Sequence, residues 1–374
     1  MDLRNLHWTA VAKIVGLGAV LLVAAGVVFV WSGVYNVAAS KDHLRITTWI
    51  LTLIRERSIA NRSFTIEVPP LDDDGMMRLG ASHFEGACVA CHNRPGEEIN
   101  PIVSGMLPPP PDLMDISKRR PPEEIFWIVK HGLKYTGMPA WPNTRRDDEV
   151  WAVTAFLASL PATAGNYPEL AGLTRSQASS DERSVGGSAL TACGRCHERE
   201  GTGTNGDRIP RLAGLPEAYL LRSLQEYAKG TRPSGAMEPV ADLLSEDAMR
   251  ELAAHYSALR PTAGNQSAPP DPEQLRRGEA IANRGIAHQG VPACLSCHSG
   301  RQSQQFPVLA GQHAEYIQEQ IRLWRRGGRI GTPYGRIMTA VAGALDEAQI
   351  EDVAAYLGSL PPGSATAPMT EVNR

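Results

Sequence analysis

Between Ile14 and Val34 the only clearly polar residue is Ser32, and 21 residues at about 1.5 Å each make roughly 31 Å of helix, one bilayer core. The run predicts a membrane span over residues 14–34. A cleaved export signal is the rival reading, because Val37-Ala38-Ala39 would suit a peptidase, but the run is longer than the roughly 7 to 15 apolar residues of such a signal. A retained anchor is therefore expected. Charge does not orient it, since Arg4 and Lys13 precede the span while Lys41, Arg45, Arg55 and Arg57 follow it. Beyond it, Ile46, Trp49, Ile50, Leu53 and Ile54 recur at helical spacing and predict a short helix lying on the membrane surface. A helix packed on the first soluble unit fits the same pattern.

Three later stretches share one design, an acidic start followed by an amphipathic helical run with an aromatic. They are Asp147 to Leu160, Ser245 to Leu259, and Asp346 to Leu360. No window alternates with the period of a strand. With 35 Gly and 28 Pro in 374 residues, long regular sheets and unbroken coiled coils are excluded, while 43% hydrophobic and 21% charged residues give a globular balance. A formal net charge of -3 gives no reason to expect nucleic acid as a partner. Linkers rich in Pro, Gly, Ser and Ala run from Val68 to Gly75, Leu160 to Gly187 and Arg260 to Asp271. They divide the chain into an anchor with its surface helix (1–65) and three units (66–165, 166–260 and 261–374). The last two repeat each other: Pro210-Arg211-Leu212-Ala213-Gly214 answers Pro307-Val308-Leu309-Ala310-Gly311, and Tyr219 and Tyr227 answer Tyr316 and Trp324 at the same offset. The expected class is all-α, an N-terminal transmembrane helix followed by three small helical domains.

The chemistry lies in six cysteines that form three pairs, each followed at once by histidine: Cys88, Cys91 and His92; Cys193, Cys196 and His197; Cys294, Cys297 and His298. Such a motif can bind zinc, cycle as a disulfide, or attach haem through two thioethers while the histidine ligates iron. A structural zinc site needs four ligands and each motif offers three at most. Redox cycling gives no reason for a histidine at the same place three times. Haem attachment uses every residue of every motif, so three covalently bound haem c groups are expected. Covalent haem is installed after export, which places the three units outside the cytoplasmic membrane, facing the periplasm, with residues 1–13 inside.

The sixth iron ligand is read from methionine spacing. Met237 and Met338 each lie 40 residues after their histidines, and Met138 lies 46 after His92, in a loop before the last helix. A thioether favours ferrous iron and closes the site to small molecules, which suits electron transfer. Met106, Met114 and Met249 are the rival methionines, and His131, His255, His288 and His313 the rival histidines. Pro210 and Pro307, with the run Pro108 to Pro111 as their counterpart, are placed to offer the histidines a fixed backbone carbonyl. Arg322, Arg325, Arg326 and Arg329 form a basic cluster, read as a solvated face or as a contact for haem propionates or an acidic partner. Asp72 to Asp74 with Asp147, Asp148 and Glu149 form an acidic face that a basic partner would fit. Gly80 and Phe84 suit a close helix crossing against Trp151, and core packing explains them equally.

With these motifs together, residues from about 75 to 362 resemble the class I cytochromes c. The second and third units are similar to the dihaem cytochrome c4 family through Pro-x-Leu-Ala-Gly, the aromatic helix ending at Gly230 to Arg232 or Gly328 and Arg329, and the following methionine. The first unit resembles single-haem domains fused to membrane anchors, through Lys130-His131-Gly132 and Thr136-Gly137-Met138-Pro139-Ala140-Trp141. The resemblance implies electron carriage from a quinol-oxidising complex (a quinol:cytochrome c reductase) to a terminal oxidase, or service as the electron-accepting subunit of a periplasmic dehydrogenase. Membrane lipid and redox proteins are the expected partners. A haem enzyme with one displaceable methionine is the third reading. Two departures from the family stand out: a short Ser- and Gly-rich lead-in at Ser184 to Ser188, and a longer Arg329-to-Met338 spacing than Arg232-to-Met237.

Overall fold

The structure, a computed structural model, describes residues 3–173, 185–203, 207–262, 271–300 and 303–363. These are helices joined by turns and loops, with one isolated antiparallel bridge between Ile286 and Val291 and no strand among them. The all-α expectation holds.

Helix α1 (Leu3–Trp31) carries Trp8–Trp31, long and apolar enough to cross a membrane and buried nowhere. It ends earlier than the predicted Val34, because Ser32 Oγ donates back to Phe29 O (2.9 Å) and Gly33 turns to a φ of +63°. Lys13, expected before the span, sits inside it, as a long stem with a terminal charge allows. Helix α2 (Arg45–Ser63) packs along α4 (Pro122–His131) and buries Ile59 and Ser63, and Arg120 Nη2 donates to Glu56 Oε2 at 2.7 Å. The packed-helix reading thus holds for its carboxyl half, while Ile46, Trp49, Ile50, Leu53 and Ile54 stay exposed.

Three clusters of buried side chains follow. In the first, α3 (Asp74–His83) crosses α5 (Asp147–Ser159) so closely that a Cβ on Gly80 would lie 1.9 Å from Ala152 O. Phe84 meets Phe156 and Tyr167 beneath this crossing, and Trp151 stacks on Phe126 instead. The second cluster gathers α6 (Val185–His197), α7 (Glu217–Ala228) and α8 (Glu246–Ala258) around Leu220, Leu252 and Tyr256. Helix α6 runs from Val185, so the lead-in that looked too short for a helix is its first turn; Ser184 lies outside the described residues. The third cluster joins α9 (Pro272–Arg284), α10 (Ala314–Arg325), α11 (Pro333–Gly343) and α12 (Glu347–Ser359). Here α9 crosses α12 as α3 crosses α5, with Gly278 in the place of Gly80 and a Cβ there 2.0 Å from Asp352 O.

Repetition in sequence becomes repetition in structure. Gly214 and Gly311 both adopt a φ of +72°, and their N–H groups donate to carbonyls of the last helices, Tyr256 O (3.0 Å) and Leu357 O (2.8 Å). The clusters are also pinned together. Arg211 N donates to Gln312 Oε1 (2.9 Å) and Gln312 Nε2 to Arg211 O (3.0 Å), joining the second to the third. Arg208 bridges Asp73 of the first (3.1 Å) and Glu319 of the third (3.4 Å).

Between the first and second clusters the closure is tightest. Glu149, buried, accepts from Trp141 Nε1 (3.1 Å), Ser234 Oγ (2.7 Å) and Gly235 N (2.6 Å), and Arg146 Nη1 donates to Pro233 O (2.9 Å). A Cβ on Gly235 would enter the Trp141 ring. Trp141 follows Met138 by three residues and Gly235 precedes Met237 by two, so the two methionine-bearing loops meet here. The acidic face expected for a basic partner is therefore divided: Asp148 and Glu149 turn inside the protein, Asp73 and Asp147 are paired at the surface, and Asp72 and Asp74 stay exposed. Asp73 caps α3 and pairs with Arg208, Asp147 pairs with Lys130, and Asp148 and Glu149 pair with Arg146.

Candidate functional site

Each Cys-x-x-Cys-His motif ends a helical segment. Cys88, Cys91 and His92 close the continuation of α3, Cys193, Cys196 and His197 close α6, and Cys297 and His298 lie in the short helix Leu295–His298 just after Cys294. None of the six cysteines is in a disulfide. Burial pushes the Cys88 thiol up to about 12, and the Cys193 and Cys294 thiols up to about 11, so all three are protonated at neutral pH.

The histidines are fixed alike. His92 Nδ1 lies 3.1 Å from Pro111 O, His197 Nδ1 3.0 Å from Pro210 O, and His298 Nδ1 2.9 Å from Pro307 O. A carbonyl only accepts, so Nδ1 carries the proton in each ring and Nε2 keeps its lone pair, the arrangement a metal-ligating imidazole requires. Burial lowers all three histidines from the ordinary value, which keeps them neutral and able to ligate. These are the carbonyls that the proline spacing marked out.

One cavity of about 520 Å³ is lined by both later motifs together with Met237 and Met338. Leu220, Leu252, Ile321 and Leu357 supply apolar wall, and Trp141 and His83 reach it from the first cluster. Met237 opens a short helix, Met237–Asp242, whereas Met338 lies within α11, so the two methionine segments differ as their spacing from the arginines implied. In the first cluster His92, Leu113 and Met114 line a separate cavity of about 240 Å³. Met138 packs on the same core as Cys88 and Leu113 but is not on that cavity's wall, and Met106 lies against Gly137. Met249 is buried in α8. His313 Nε2 faces Thr202 O (3.2 Å) and His255 Nε2 faces Arg199 O (3.5 Å).

The fit to haem is tested by what the shared cavity leaves unpaired. Arg232 and Arg329, both buried, face it from the second and third clusters. Arg232 donates only to hydroxyls, of Ser223 (2.8 Å), Tyr316 (3.1 Å) and Tyr219 (3.4 Å), and Arg329 donates to Gln320 Oε1 (2.5 Å). No carboxylate among the described residues pairs with either. Burial and the charge of Arg232 push Arg329 down to about 10. Trp324 Nε1, also on this wall, has no acceptor among the described residues. Buried guanidinium groups without anions are costly, and this crevice, apolar with cations and a free N–H at one side, suits a flat apolar ring edged by carboxylates. Haem would meet that description, with Arg232 and Arg329 placed to hold its propionates. The basic cluster read on α10 thus divides: Arg322 and Arg325 pair with Glu347 on α12 (2.5 and 2.6 Å), while Arg329 turns inward. Sequence reasoning took Arg232 and Trp324 as repeat markers only; the signal for their role was an arginine and a ring donor kept at one place in both units or at one apolar helix end without an acid nearby. Arg329→Leu removes a buried cation from the wall of this crevice and, with haem bound there, is expected to lower the potential of one haem by on the order of tens of millivolts, read by redox titration. An unchanged titration would place Arg329 outside the haem's field.

The comparisons agree with the site. A family model described as "Cytochrome C oxidase, cbb3-type, subunit III" matches residues 75–157, and one described as "Cytochrome c" matches residues 276–361. The thiosulfate dehydrogenase electron acceptor of Thiomonas intermedia (strain K12) is 39% identical over 173 residues, 46% of this chain and 79% of that protein. Cytochrome c4 of Azotobacter vinelandii is 30% identical over 202 residues, 50% of this chain and 94% of that protein. The solved structure of reduced recombinant cytochrome c4 from Pseudomonas stutzeri, 32% identical, covers 47% of this chain and 97% of its own at a TM-score of 0.42. With relatives at this identity covered over most of their length, the chain belongs to the class I c-type cytochromes, haem-binding electron carriers, and contains a cytochrome c4-like dihaem module.

Proposed function

We propose that the chain is a membrane-anchored trihaem electron carrier, with α1 retained as a single span and the haem units, 66–165, 166–260 and 261–374, facing the periplasm. Cys88 and Cys91, Cys193 and Cys196, and Cys294 and Cys297 hold three haems by thioethers, and the iron ligands are His92 with Met138, His197 with Met237, and His298 with Met338. Haem c supplies a one-electron iron couple. The chain's own residues do the rest: Pro111, Pro210 and Pro307 fix the imidazoles, Arg232 and Arg329 neutralise carboxylates, and the apolar walls exclude water. The observation that carries a single relay, rather than three separate carriers, is the Trp141–Glu149–Ser234 closure, which joins the Met138 loop to the Met237 loop, together with the cavity common to the second and third motifs.

In this reading electrons pass from a quinol-oxidising complex to a terminal oxidase. A second reading, the electron-accepting subunit of a periplasmic dehydrogenase, is favoured by the likeness to a protein named as the electron acceptor of thiosulfate dehydrogenase. Copurification from native membranes, followed by mixing the oxidised chain with each candidate donor, separates them. Rapid reduction by the quinol-oxidising complex is expected. Reduction by a dehydrogenase alone would establish the second reading, and reduction by neither would contradict both.

A further inference from the structure

The exposed half of α2 has a chemistry of its own. Ile46, Trp49, Ile50, Leu53 and Ile54 lie on one face of the helix and are 42% to 61% exposed, while Leu51, Ile59 and Ser63 turn toward the other side, where α2 packs on α4. Arg45 and Arg57 stand at the two ends of the stripe. The stretch joining α1 to α2 folds back on itself. Tyr35 lies 6.2 Å from Phe29, in the last turn of α1, and its hydroxyl is 3.0 Å from His43 Nδ1, just before α2. This holds the amino end of α2 beside the carboxyl end of α1.

We propose that α2 lies on the outer lipid surface through the stripe Ile46, Trp49, Ile50, Leu53 and Ile54, and so holds the haem units in one orientation to the membrane. The proposal rests on the reading of α1 as a retained anchor. Lipid fits better than a second copy of the chain: the stripe is about 12 Å long and one helix wide, too small for a stable protein interface but ample for an interfacial helix. Trp49 suits the headgroup zone, and the terminal arginines suit anionic headgroups. The other face of α2 is the strut. Ile59 is buried, and Arg120 holds both Glu56 (2.7 Å) and Glu124 (2.8 Å), so tilting the helix would tilt the first cluster with it. Through Arg208 and Glu149 the remaining clusters follow. The carrier is then held over the membrane at a fixed attitude instead of swinging on a loose tether.

The test uses the full haem-loaded chain in vesicles of phosphatidylcholine and phosphatidylglycerol, with the photocrosslinker p-benzoylphenylalanine placed at Val20, Ile50 or Thr52 in turn. Thr52 is exposed but turned away from the stripe. Lipid adducts at Val20 and Ile50, with roughly tenfold fewer at Thr52, are expected for an interfacial helix. Adducts at Val20 without adducts at Ile50 would overturn the proposal and leave the anchor standing. Chain-to-chain products at Ile50 would assign the stripe to a second copy and overturn it too. No adduct at either Val20 or Ile50 would overturn the anchor and the proposal together.

Discussion

Met237→Ala and Met338→Ala, made singly, are each expected to lower the midpoint potential of one haem by on the order of 0.1 V, within the roughly 0.8 V that axial ligands span, and to open that iron to carbon monoxide. A neutral thioether stabilises ferrous iron over ferric, and alanine leaves the sixth position to water. Both methionines line the cavity shared by His197 and His298, so the loss should be local to one of two neighbouring sites. The first cluster offers a sharper contest, because Met114 lines the His92 cavity while Met138 sits at the edge of the core. Met138→Ala should remove the methionine–iron absorption of that haem and Met114→Ala should leave it. The reverse outcome would transfer the ligand role to Met114, and silence from Met237 or Met338 would remove that residue from the ligand set.

A large loss of stability is expected from Gly278→Ala. Its Cβ would lie 2.0 Å from Asp352 O, a backbone atom inside α12, and 2.8 Å from the Tyr356 Cβ. Neither atom can swing aside as a side-chain tip would, so α9 must move off α12. That strains the Arg277–Asp352 pair (2.6 and 2.7 Å) and opens the contact that buries Ile281 against Val353 and Leu357. The cost is about 3 kcal/mol, at the upper end for overpacking a core. Gly343→Ala, where nothing lies within 4 Å, should stay within about 0.5 kcal/mol of the parent. Urea unfolding of the haem-loaded protein, followed by the absorption of the third haem, reads both. Equal midpoints for the two variants would show that the α9–α12 crossing is looser than its geometry.

Local chemistry was legible in the chain because it is written in short spacings. The helices that open at Asp147, Ser245 and Asp346 follow from acidic first turns and amphipathic period, and Asp346 with Gln349 forms a capping box. The Pro210 and Pro307 carbonyls could be placed because thirteen or nine residues leave a loop little freedom once a proline stiffens it. What stayed hidden depends on distant parts of the chain meeting. Asp148 and Glu149 look like surface acids until Arg146 and the Ser234 loop close over them. Arg329 looks like one more solvated arginine beside Arg322 and Arg325 until the turn after α10 swings it inward. The surface or packed character of α2 had no single answer in sequence, because one helix has two faces and each suits a different neighbour.

Three cysteine pairs with no disulfide and three imidazoles held by carbonyls converge on one count. Intact-mass measurement of the purified chain before and after alkylation under denaturing, reducing conditions reads that count directly. Three haems per chain with all six cysteines resistant to alkylation is the predicted result. Fewer than three haems, or any Cys pair that takes up the reagent, would contradict the reading of this protein as a trihaem relay.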